Sequence, residues 1–416
     1  MHLLFCLFVC LSCTFAQVSI KYSAMLFSSG FNTSIKPYPT DPLRDEAVWP
    51  YKYSKLIDIG NEQHHALGRW FGERYLNASL NRCDPEMISA RSIDEDVSIK
   101  SAQYNLAGMC LSNMSNNNLT KAYLAQQPIF ITTVPVNDDE ILAMKRLCPE
   151  YNKLKNEFIN TEYFKYRLNF YKKLLDYLSE HTNKTVESYD DINEIYNILL
   201  VESSYNLTLP SWAQAVFPKK LEDLACYSYA LSSATPTMAR LLVGPLIQEI
   251  VSNMAYTMLE MPNDVTLSIY SGDDSTIGNV LNALNLFDGQ CPLTTATIIM
   301  ELLYDNSTND FYVRILYRSN KDMVEPFAID IPHCGTPCGF RNFTQIYRHL
   351  MSVDWKEDCY KDENDWTFTR KLIIILFLLI FCTFVHCAYY LWFAIDKEAL
   401  SEEDYPDVMM VQVFTF

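Results

Sequence analysis

The chain has few glycines and few basic residues for its length. Only 11 glycines occur among 416 residues, and no G-x-G-x-x-G or Walker pattern is found, so nothing supports a glycine loop that binds nucleotide phosphates. Lysine and arginine number 33 against 50 acidic residues, giving a net charge of −17. Nucleic-acid binding draws most of its affinity from Lys and Arg on phosphates, so we expect no nucleic-acid partner.

An apolar run opens the chain. Residues 3–15 are apolar or small and lead into Thr14-Phe15-Ala16. The run is too short to span a bilayer, and small residues precede the expected cleavage point. We therefore predict that residues 1–16 form a secretory signal peptide; the alternative is an N-terminal membrane anchor.

A second apolar run lies near the other end. Residues 372–395 contain no Asp, Glu, Lys or Arg, and Tyr389, Tyr390 and Trp392 lie near the C-terminal end as an interfacial belt would. The run is long enough to cross a bilayer with some tilt. It is predicted to form a transmembrane helix, with a buried core helix as the alternative.

Together the two runs predict a type I single-pass membrane protein. Residues from 17 to 370 would lie in the lumen or outside the cell, and residues 396–416 would form a cytoplasmic tail. Arg370 and Lys371 precede the span, whereas Lys397 alone follows it, which opposes the positive-inside bias. The leading signal decides the orientation, because long N-terminal domains translocate with little regard to charge.

Thirteen cysteines fit this topology. Three lie in the signal and two, Cys382 and Cys387, lie in the predicted span, which leaves eight between them. An even number in an oxidising compartment indicates disulfides. A zinc site would need paired C-x-x-C spacing, and the one close pair is Cys334-x-x-x-Cys338. Lumenal exposure is further supported by eight glycosylation sequons, at Asn32, Asn77, Asn113, Asn118, Asn183, Asn206, Asn306 and Asn342.

The sequence between the runs contains two strand–loop–helix patterns. Residues 20–27 read as a buried strand, and a helix is predicted over 61–76. Residues 264–270 alternate as a strand does, and a helical stretch follows around 277–284. In an α/β sheet, ligands bind beyond the carboxyl ends of strands, so the loops after the two strands are the expected site. These loops are Ser28-Ser29-Gly30 and Ser271-Gly272-Asp273-Asp274.

A long segment separates the two patterns. From about 146 to 235 the chain is rich in Tyr, Lys, Leu and Glu, with helical periodicity and few strand signals. We interpret residues 146–235 as a helical cap inserted into an α/β domain, which would comprise residues 17–145 and 236–365.

Several motifs resemble those of the histidine acid phosphatases. The segment from Ser28 to Ser34, followed by Tyr38-Pro39-Thr40-Asp41-Pro42, is similar to the family's R-H-G-x-R-x-P with its later P-T-D-P. The resemblance continues through Gly60-Asn61-Glu62-Gln63-His64, Arg91-Ser92, Leu209-Pro210-Ser211-Trp212 and Tyr270-Ser271-Gly272-Asp273-Asp274-Ser275-Thr276. It implies a phosphoglycerate-mutase-like α/β fold with an inserted helical cap.

The resemblance also implies the roles of the site residues. In the family, the histidine of R-H-G attacks the phosphomonoester, arginines and a second histidine hold the phosphoryl oxygens, and an aspartate protonates the leaving group. The nucleophile position here is Ser29, and the phosphate-binding positions are Ser28, Asn32, Arg91 and Asp273. Only Arg91 and the proton-donor position, Asp274, match the family pattern.

These substitutions reverse the charge of the expected pocket. We therefore expect no bound phosphate and no phosphatase activity, which leaves a binding or scaffolding role. The alternative is an acid phosphatase of weak or unusual activity with Ser29 as nucleophile. Asp273 and Asp274 could instead hold a hard cation, but too few further oxygen ligands are identified. We expect neither a metal nor a cofactor, and His64-His65 is interpreted as structural.

The resemblance implies two disulfides, Cys334–Cys338 and Cys148–Cys359. Cys83, Cys110, Cys226 and Cys291 remain, with three possible connectivities. The family resemblance further suggests a homodimer.

The acidic tail contains a short motif. Tyr405-Pro406-Asp407-Val408 has the form Y-x-x-Φ and follows the acidic run Glu402-Glu403-Asp404. It resembles a tyrosine sorting signal read by clathrin adaptors, with Tyr405 and Val408 as its determinants. The expected location is endosomal or lysosomal, or the cell surface. The alternative is a solvated tail that no adaptor binds.

Overall fold

The computed structural model describes residues 18–30, 37–49, 58–76, 83–110, 129–261, 264–319, 323, 325–351, 354–360 and 363–402. Two compact units are found along the chain, one ending at Cys359 and one beginning at Tyr360. Of the segments predicted from sequence, the signal peptide and residues 403–416 of the tail lie outside the described residues.

The first unit is built on a mixed sheet. In the described residues its strands are β1 (Val18–Phe27), β2 (Ile88–Ile93), β3 (Ile131–Val134), β4 (Leu267–Ser271), β5 (Thr297–Asp305), β6 (Asp310–Arg318), β7 (Phe327–Ile329) and β8 (Cys338–Gly339). The order is β3-β2-β4-β1-β5-β6-β7, with β8 paired to β6. Strands β1 to β4 pair in parallel, and the pairs from β1–β5 onward are antiparallel.

Among the described residues, some helices cover both faces of the sheet, as expected for an α/β fold, and others pack in a separate core. These helices are α1 (Asp58–Tyr75), α2 (Asp96–Cys110), α3 (Pro149–Ile159), α4 (Glu162–Phe170), α5 (Lys172–Thr182), α6 (Tyr189–Ser204), α7 (Lys219–Leu231), α8 (Pro236–Met258), α9 (Asp274–Ala283), α10 (Phe340–Ile346) and α11 (Trp355–Cys359). The predicted strand at 20–27 and helix at 61–76 correspond to β1 and α1, and the predicted helix at 277–284 corresponds to α9. The second predicted strand begins three residues later than expected, at Leu267.

Side chains of β1 alternate between two cores. Tyr22, Ala24 and Leu26 pack in the core formed with α8, α9 and α10, whereas Met25 and Phe27 pack in the core formed with α1 and α2. This period of two is the geometry of a strand covered on both faces. Both cores are therefore built around the strand that ends at the expected site.

Helices α1 and α2 pack backbone to backbone. A Cβ added at Gly68 would lie 1.9 Å from the Asn105 carbonyl oxygen. No side chain larger than hydrogen fits there, so glycine sets the distance between the two helices that cover one face of the sheet.

The segment predicted as a cap is helical. Helices α3 to α7 fall within it, and α4 to α7 share a core of their own that includes Leu178, Ile192, Leu199 and Leu221. Part of this cluster reaches Cys291 of the α/β part of the chain. The boundaries at 146 and 235 as limits of a separate domain stay a prediction.

Four disulfides join the described cysteines of the first unit: Cys83–Cys110, Cys148–Cys359, Cys226–Cys291 and Cys334–Cys338. The second and fourth are the pairs that the family resemblance implies. The other two bonds join residues 27 and 65 positions apart. Separations of this size leave no local sequence pattern, so residue spacing alone could not choose among the three connectivities.

The second unit contains a long helix, α12 (Glu363–Glu402). Within it, residues 370–392 are long and apolar enough to cross a membrane, and this is the one such helix in the described part of the chain. The candidate span starts and ends slightly before the predicted limits of 372 and 395. Cys382 and Cys387 lie in it as free thiols.

Candidate functional site

The carboxyl ends of three parallel strands meet at one edge of the sheet. Phe27 of β1 and Ser92 of β2 both lie opposite Ser271 of β4 in the strand register. The Gly272 amide donates to the Phe27 carbonyl at 2.9 Å. The loop after β1, Arg91 of β2 and the start of α9 are thereby brought to the same place.

Ser28 and Ser29 lead out of β1. Ser28 is fully buried; its hydroxyl donates to the Leu293 carbonyl at 3.0 Å and its amide donates to Ala296 at 2.9 Å. Ser29 is partly exposed, and its carbonyl accepts from the Thr295 amide at 3.2 Å. The segment from 293 to 296 therefore fixes the backbone of this loop.

Gly30 places the loop directly on α1. A Cβ at this position would lie 2.8 Å from the Gly60 carbonyl oxygen and 3.0 Å from a ring carbon of His64. His64 is fully buried, and burial, helped by the charge of Arg318, lowers its pKa to about 3. The imidazole is thus neutral and supports the loop by packing.

Asp273 caps helix α9. Its Oδ1 accepts from the Thr276 amide at 2.7 Å, the Thr276 hydroxyl at 2.8 Å and the Ser275 hydroxyl at 2.7 Å. The Thr276 hydroxyl in turn accepts from the Asp273 amide at 3.4 Å, completing a capping box. The carboxylate satisfies the Thr276 amide of the first helical turn, and this arrangement suits an acidic residue rather than a histidine.

Arg91 is paired with carboxylates of the protein itself. Its guanidinium lies 2.7 Å from Asp139 Oδ1 and 3.9 Å from Glu249 Oε2. Asp139 is fully buried and also accepts from the amides of residues 141, 142 and 143. Glu249 accepts from the Tyr270 hydroxyl at 2.7 Å. The charge of Arg91 is therefore compensated without a ligand.

Asp274 lies at the start of α9 and lines a cavity of about 400 Å³. Burial, with the neighbouring Asp273 charge, raises the pKa of Asp274 to about 7, and the Ser28 hydroxyl opposes the rise. The group is consequently protonated in an acidic compartment and titrates near neutral pH.

Negative charge predominates around this edge of the sheet. Desolvation, and then the charge of Asp273, raise the pKa of Glu95, while Lys145 lowers it. Asp273, Asp274 and Glu95 thus contribute carboxyls at this edge, where Arg91 is already paired with Asp139. The described residues contain no group of three His, Cys, Asp or Glu side chains arranged to hold a metal ion.

Other predicted positions are distributed over the surface or lie outside the described residues. The sequons at Asn183, Asn206, Asn306 and Asn342 are all exposed, and their use stays a prediction. Outside the described residues lie Asn32, Asn77, Asn113, Asn118, Tyr405 and Val408.

The sequence analysis did not predict two features of the site, the Asp139 partner of Arg91 and the capping role of Asp273. Asp139 lies 48 residues beyond Arg91, and no local pattern marks it as the partner of an arginine. The capping role of Asp273 did leave a signal, because Asp followed three residues later by Thr is compatible with a helix N-terminus.

Comparisons with known proteins identify the family to which this fold belongs. The model of the histidine phosphatase superfamily, branch 2, matches residues 16–318. Human prostatic acid phosphatase is 29% identical over 362 residues, covering 86% of this chain and 92% of that protein. Lysosomal acid phosphatase of Xenopus laevis is 30% identical over 366 residues, covering 85% and 82%.

Solved structures share the fold. The phytase of Citrobacter braakii gives a TM-score of 0.59 at 14% identity, covering 82% of this chain and 99% of that one. The Hafnia alvei phytase in complex with tartrate gives 0.59 at 14% identity, covering 81% and 98%. With the family match over most of the chain, these findings lead to one conclusion: the chain belongs to the histidine acid phosphatase family, within branch 2 of the histidine phosphatase superfamily.

Proposed function

We propose that this family member does not hydrolyse phosphomonoesters and acts as a membrane-anchored binding or scaffolding protein. One observation carries the proposal: Arg91, the phosphate-binding cation that matches the family motif, already forms an ion pair with buried Asp139. Phosphoryl transfer depends on positioned cations around the transferred group. A cation neutralised by the protein has little attraction left for a phosphate dianion.

The charge of Asp273 adds to this effect. A negative charge about 4 Å from a phosphate costs roughly 4 kcal/mol at an effective dielectric near 20. Each missing charged hydrogen bond costs about 1.5–3 kcal/mol more. Since Asp273 stands at the position where the family motif has a phosphate-holding histidine, these terms oppose phosphate binding in the same direction.

The second candidate function is an acid phosphatase of weak or unusual activity. It is favoured by Asp274, which occupies the family's proton-donor position and has a pKa raised to about 7, within the range of a general acid. Ser29 would then have to act as the nucleophile, which requires a neighbouring base. Asp273, the candidate base in the matching motif, already accepts three hydrogen bonds within its own helix turn.

Turnover of a generic aryl phosphate by the purified full-length chain, between roughly pH 4 and 7, distinguishes the two functions. We expect no turnover above that of a mock preparation. Activity that disappears in Ser29→Ala would overturn the first proposal and establish the second. The combined variant Ser28→Arg, Ser29→His, Asn32→Arg and Asp273→His is expected to gain activity if the scaffold alone has been retained.

We propose further that the chain is a type I glycoprotein of the endosomal or lysosomal system. Similarity to lysosomal acid phosphatases supports this location, and the candidate span supports a single membrane crossing. The Tyr405 motif would bind a clathrin adaptor, so Tyr405→Ala should move the protein to the cell surface, with Tyr389→Ala as a control. An unchanged distribution would remove the sorting role. A homodimer is tested by light scattering of the detergent-solubilised chain.

A further inference from the structure

The cavity beside Asp274 is lined mainly by apolar and aromatic side chains. Its described lining includes Ile59, Leu200, Pro292 and Leu293, together with Tyr196 and Tyr229. Its volume of about 400 Å³ lies within the range of small-molecule sites. Such a lining favours a ligand with a compact apolar body.

One charged side chain reaches this lining. Among the described residues that line the cavity, Asp274 is the single carboxyl, and no Lys, Arg or His joins it. The described part of the chain contains no ion pair to Asp274, and its Oδ1 atom is buried with no hydrogen-bond donor. A buried carboxylate oxygen without a donor is costly to the folded protein unless the carboxyl is protonated or that oxygen meets a cation.

The immediate neighbours of Asp274 do not supply that cation. Asp273 is an anion, and the Ser28 hydroxyl, which lowers the pKa of Asp274 by hydrogen bonding, is neutral and also donates to the Leu293 carbonyl at 3.0 Å. Burial and the Asp273 charge accordingly raise the pKa of Asp274. Tyr229 lines the same cavity, and after burial the charge of Asp274 contributes to the raised pKa of Tyr229 and of Tyr317. All these neighbours are anionic or neutral.

We infer that this cavity binds a small organic amine, with the ammonium group on Asp274 Oδ1 and the apolar body against the Tyr196, Tyr229, Leu200 and Leu293 side chains. An ammonium brings both the charge and the hydrogen-bond donors that Oδ1 lacks. A divalent metal would need several more oxygen ligands, and a phosphate carries the wrong sign. The inference rests on the proposed function, because Asp274 must be free of a phosphoryl substrate.

Three indole probes that differ mainly in charge test the inference. Tryptamine is a cation, tryptophol is neutral and indole-3-acetate is an anion. Calorimetric titration of the full-length chain in detergent, at about pH 8, should show tryptamine binding at least about tenfold more tightly than tryptophol. Indole-3-acetate should bind more weakly than tryptophol. Equal binding of all three, or the anion binding most tightly, would overturn the inference.

Two variants assign the charge and the cavity separately. Asp274→Asn should reduce the affinity for tryptamine to that for tryptophol. The background from partitioning of indoles into the detergent should be the same for this variant and the unmodified chain. Leu200→Trp keeps Asp274 but should fill the cavity, so it should weaken the binding of both tryptamine and tryptophol. Thermal unfolding shows which variants remain folded, and retention of the amine preference in a folded Asp274→Asn chain contradicts the inference.

Aryl phosphate turnover on the same preparation separates two kinds of failure. Turnover above the mock preparation overturns the proposed function, whatever the probes do. Absence of both turnover and amine preference overturns the amine site alone.

Discussion

Glu202 of α6 and Asp41 of the segment after β1 are two buried carboxyl groups that interact, and burial, followed by the charge of Asp41, raises the pKa of Glu202. Both residues are almost fully buried. Neither Glu202 oxygen accepts from a donor in the described part of the chain. Two ionised carboxylates repel each other, most strongly where they are buried, so protonation of Glu202 is favoured in the folded protein.

Stability should therefore fall as pH rises. Burial, and then the charge of Asp41, raise the pKa of Glu202 from 4.5 to about 8. Burial also raises the pKa of Asp41, whereas the charge of Arg44 lowers it. Both carboxylates contribute to the raised pKa of Tyr38. Because the folded-state pKa is raised, the contribution is fully present below about pH 4.5 and is lost as the pH rises toward 8. Urea unfolding of the full-length chain should give about 2–4 kcal/mol less stability at pH 8 than at pH 5.

Glu202→Gln should flatten this dependence, because a neutral amide keeps the shape without the charge. Glu180→Gln, at an exposed position of α5, is the matched control and should leave the slope unchanged. A Glu202→Gln chain that still loses the same stability between pH 5 and 8 would show that the pair does not cause the dependence.

Removing the Asp273 carboxylate should destabilise the protein. Asp273→Ala deletes the acceptor of three hydrogen bonds at the start of α9 and should reduce the free energy of unfolding by about 1 kcal/mol. Asp273→Asn should lose little, since asparagine is an equally good cap. Chemical denaturation monitors both, and equal loss in the two variants would mean that charge rather than capping is needed. By the same reasoning, a histidine at 273 carries a stability cost.

Breaking the Arg91–Asp139 ion pair should reduce the free energy of unfolding more than breaking the Arg146–Glu140 ion pair. Asp139→Asn retains an oxygen for the amides of the turn but removes the nearer carboxylate of Arg91, whose side chain is 17% exposed, and leaves Glu249 at 3.9 Å. A loss of about 1–3 kcal/mol is expected, between the values for exposed and buried pairs. Glu140→Gln, which removes the partner of the more exposed Arg146, should lose under about 1 kcal/mol. Equal losses in urea unfolding would contradict this order.

Two disulfides should contribute unequally to stability. Cys226–Cys291 closes a separation of 65 residues and Cys334–Cys338 a separation of four. On chain-entropy grounds, the paired Cys→Ser substitution should cost about 4 kcal/mol for the first and about 2 kcal/mol for the second. Denaturation of the two double variants gives the comparison, and a larger loss at Cys334–Cys338 would point to native contacts rather than loop closure.

Local patterns were sufficient to predict much of the fold. The apolar run of β1 and the spacing of Leu67 and Phe71 on α1 depend on residues near one another in sequence, and both elements appear where expected. The α/β class follows from the repeated strand–loop–helix order.

The site could be predicted only in part, because its decisive contacts join distant segments. The loop residues at the ends of β1 and β4 were placed correctly beside each other by the rule for parallel strands. The pairings of Arg91 with Asp139 and of Asp41 with Glu202 depend on how the chain crosses the sheet and on how α6 packs. Residue type and spacing carry no trace of these contacts.

The Cys148–Cys359 bond has a mechanical consequence. It closes a loop of 211 residues whose last member is also the last residue of the first compact unit. Tension applied to the chain beyond Cys359 would pass through the sulfur atoms to Cys148 and then to the N-terminal part of the chain. Residues 149–358, which include α3 to α10 and β4 to β8, would then bear no tension along their backbone, so extension of the first unit should stop short until the bond is reduced.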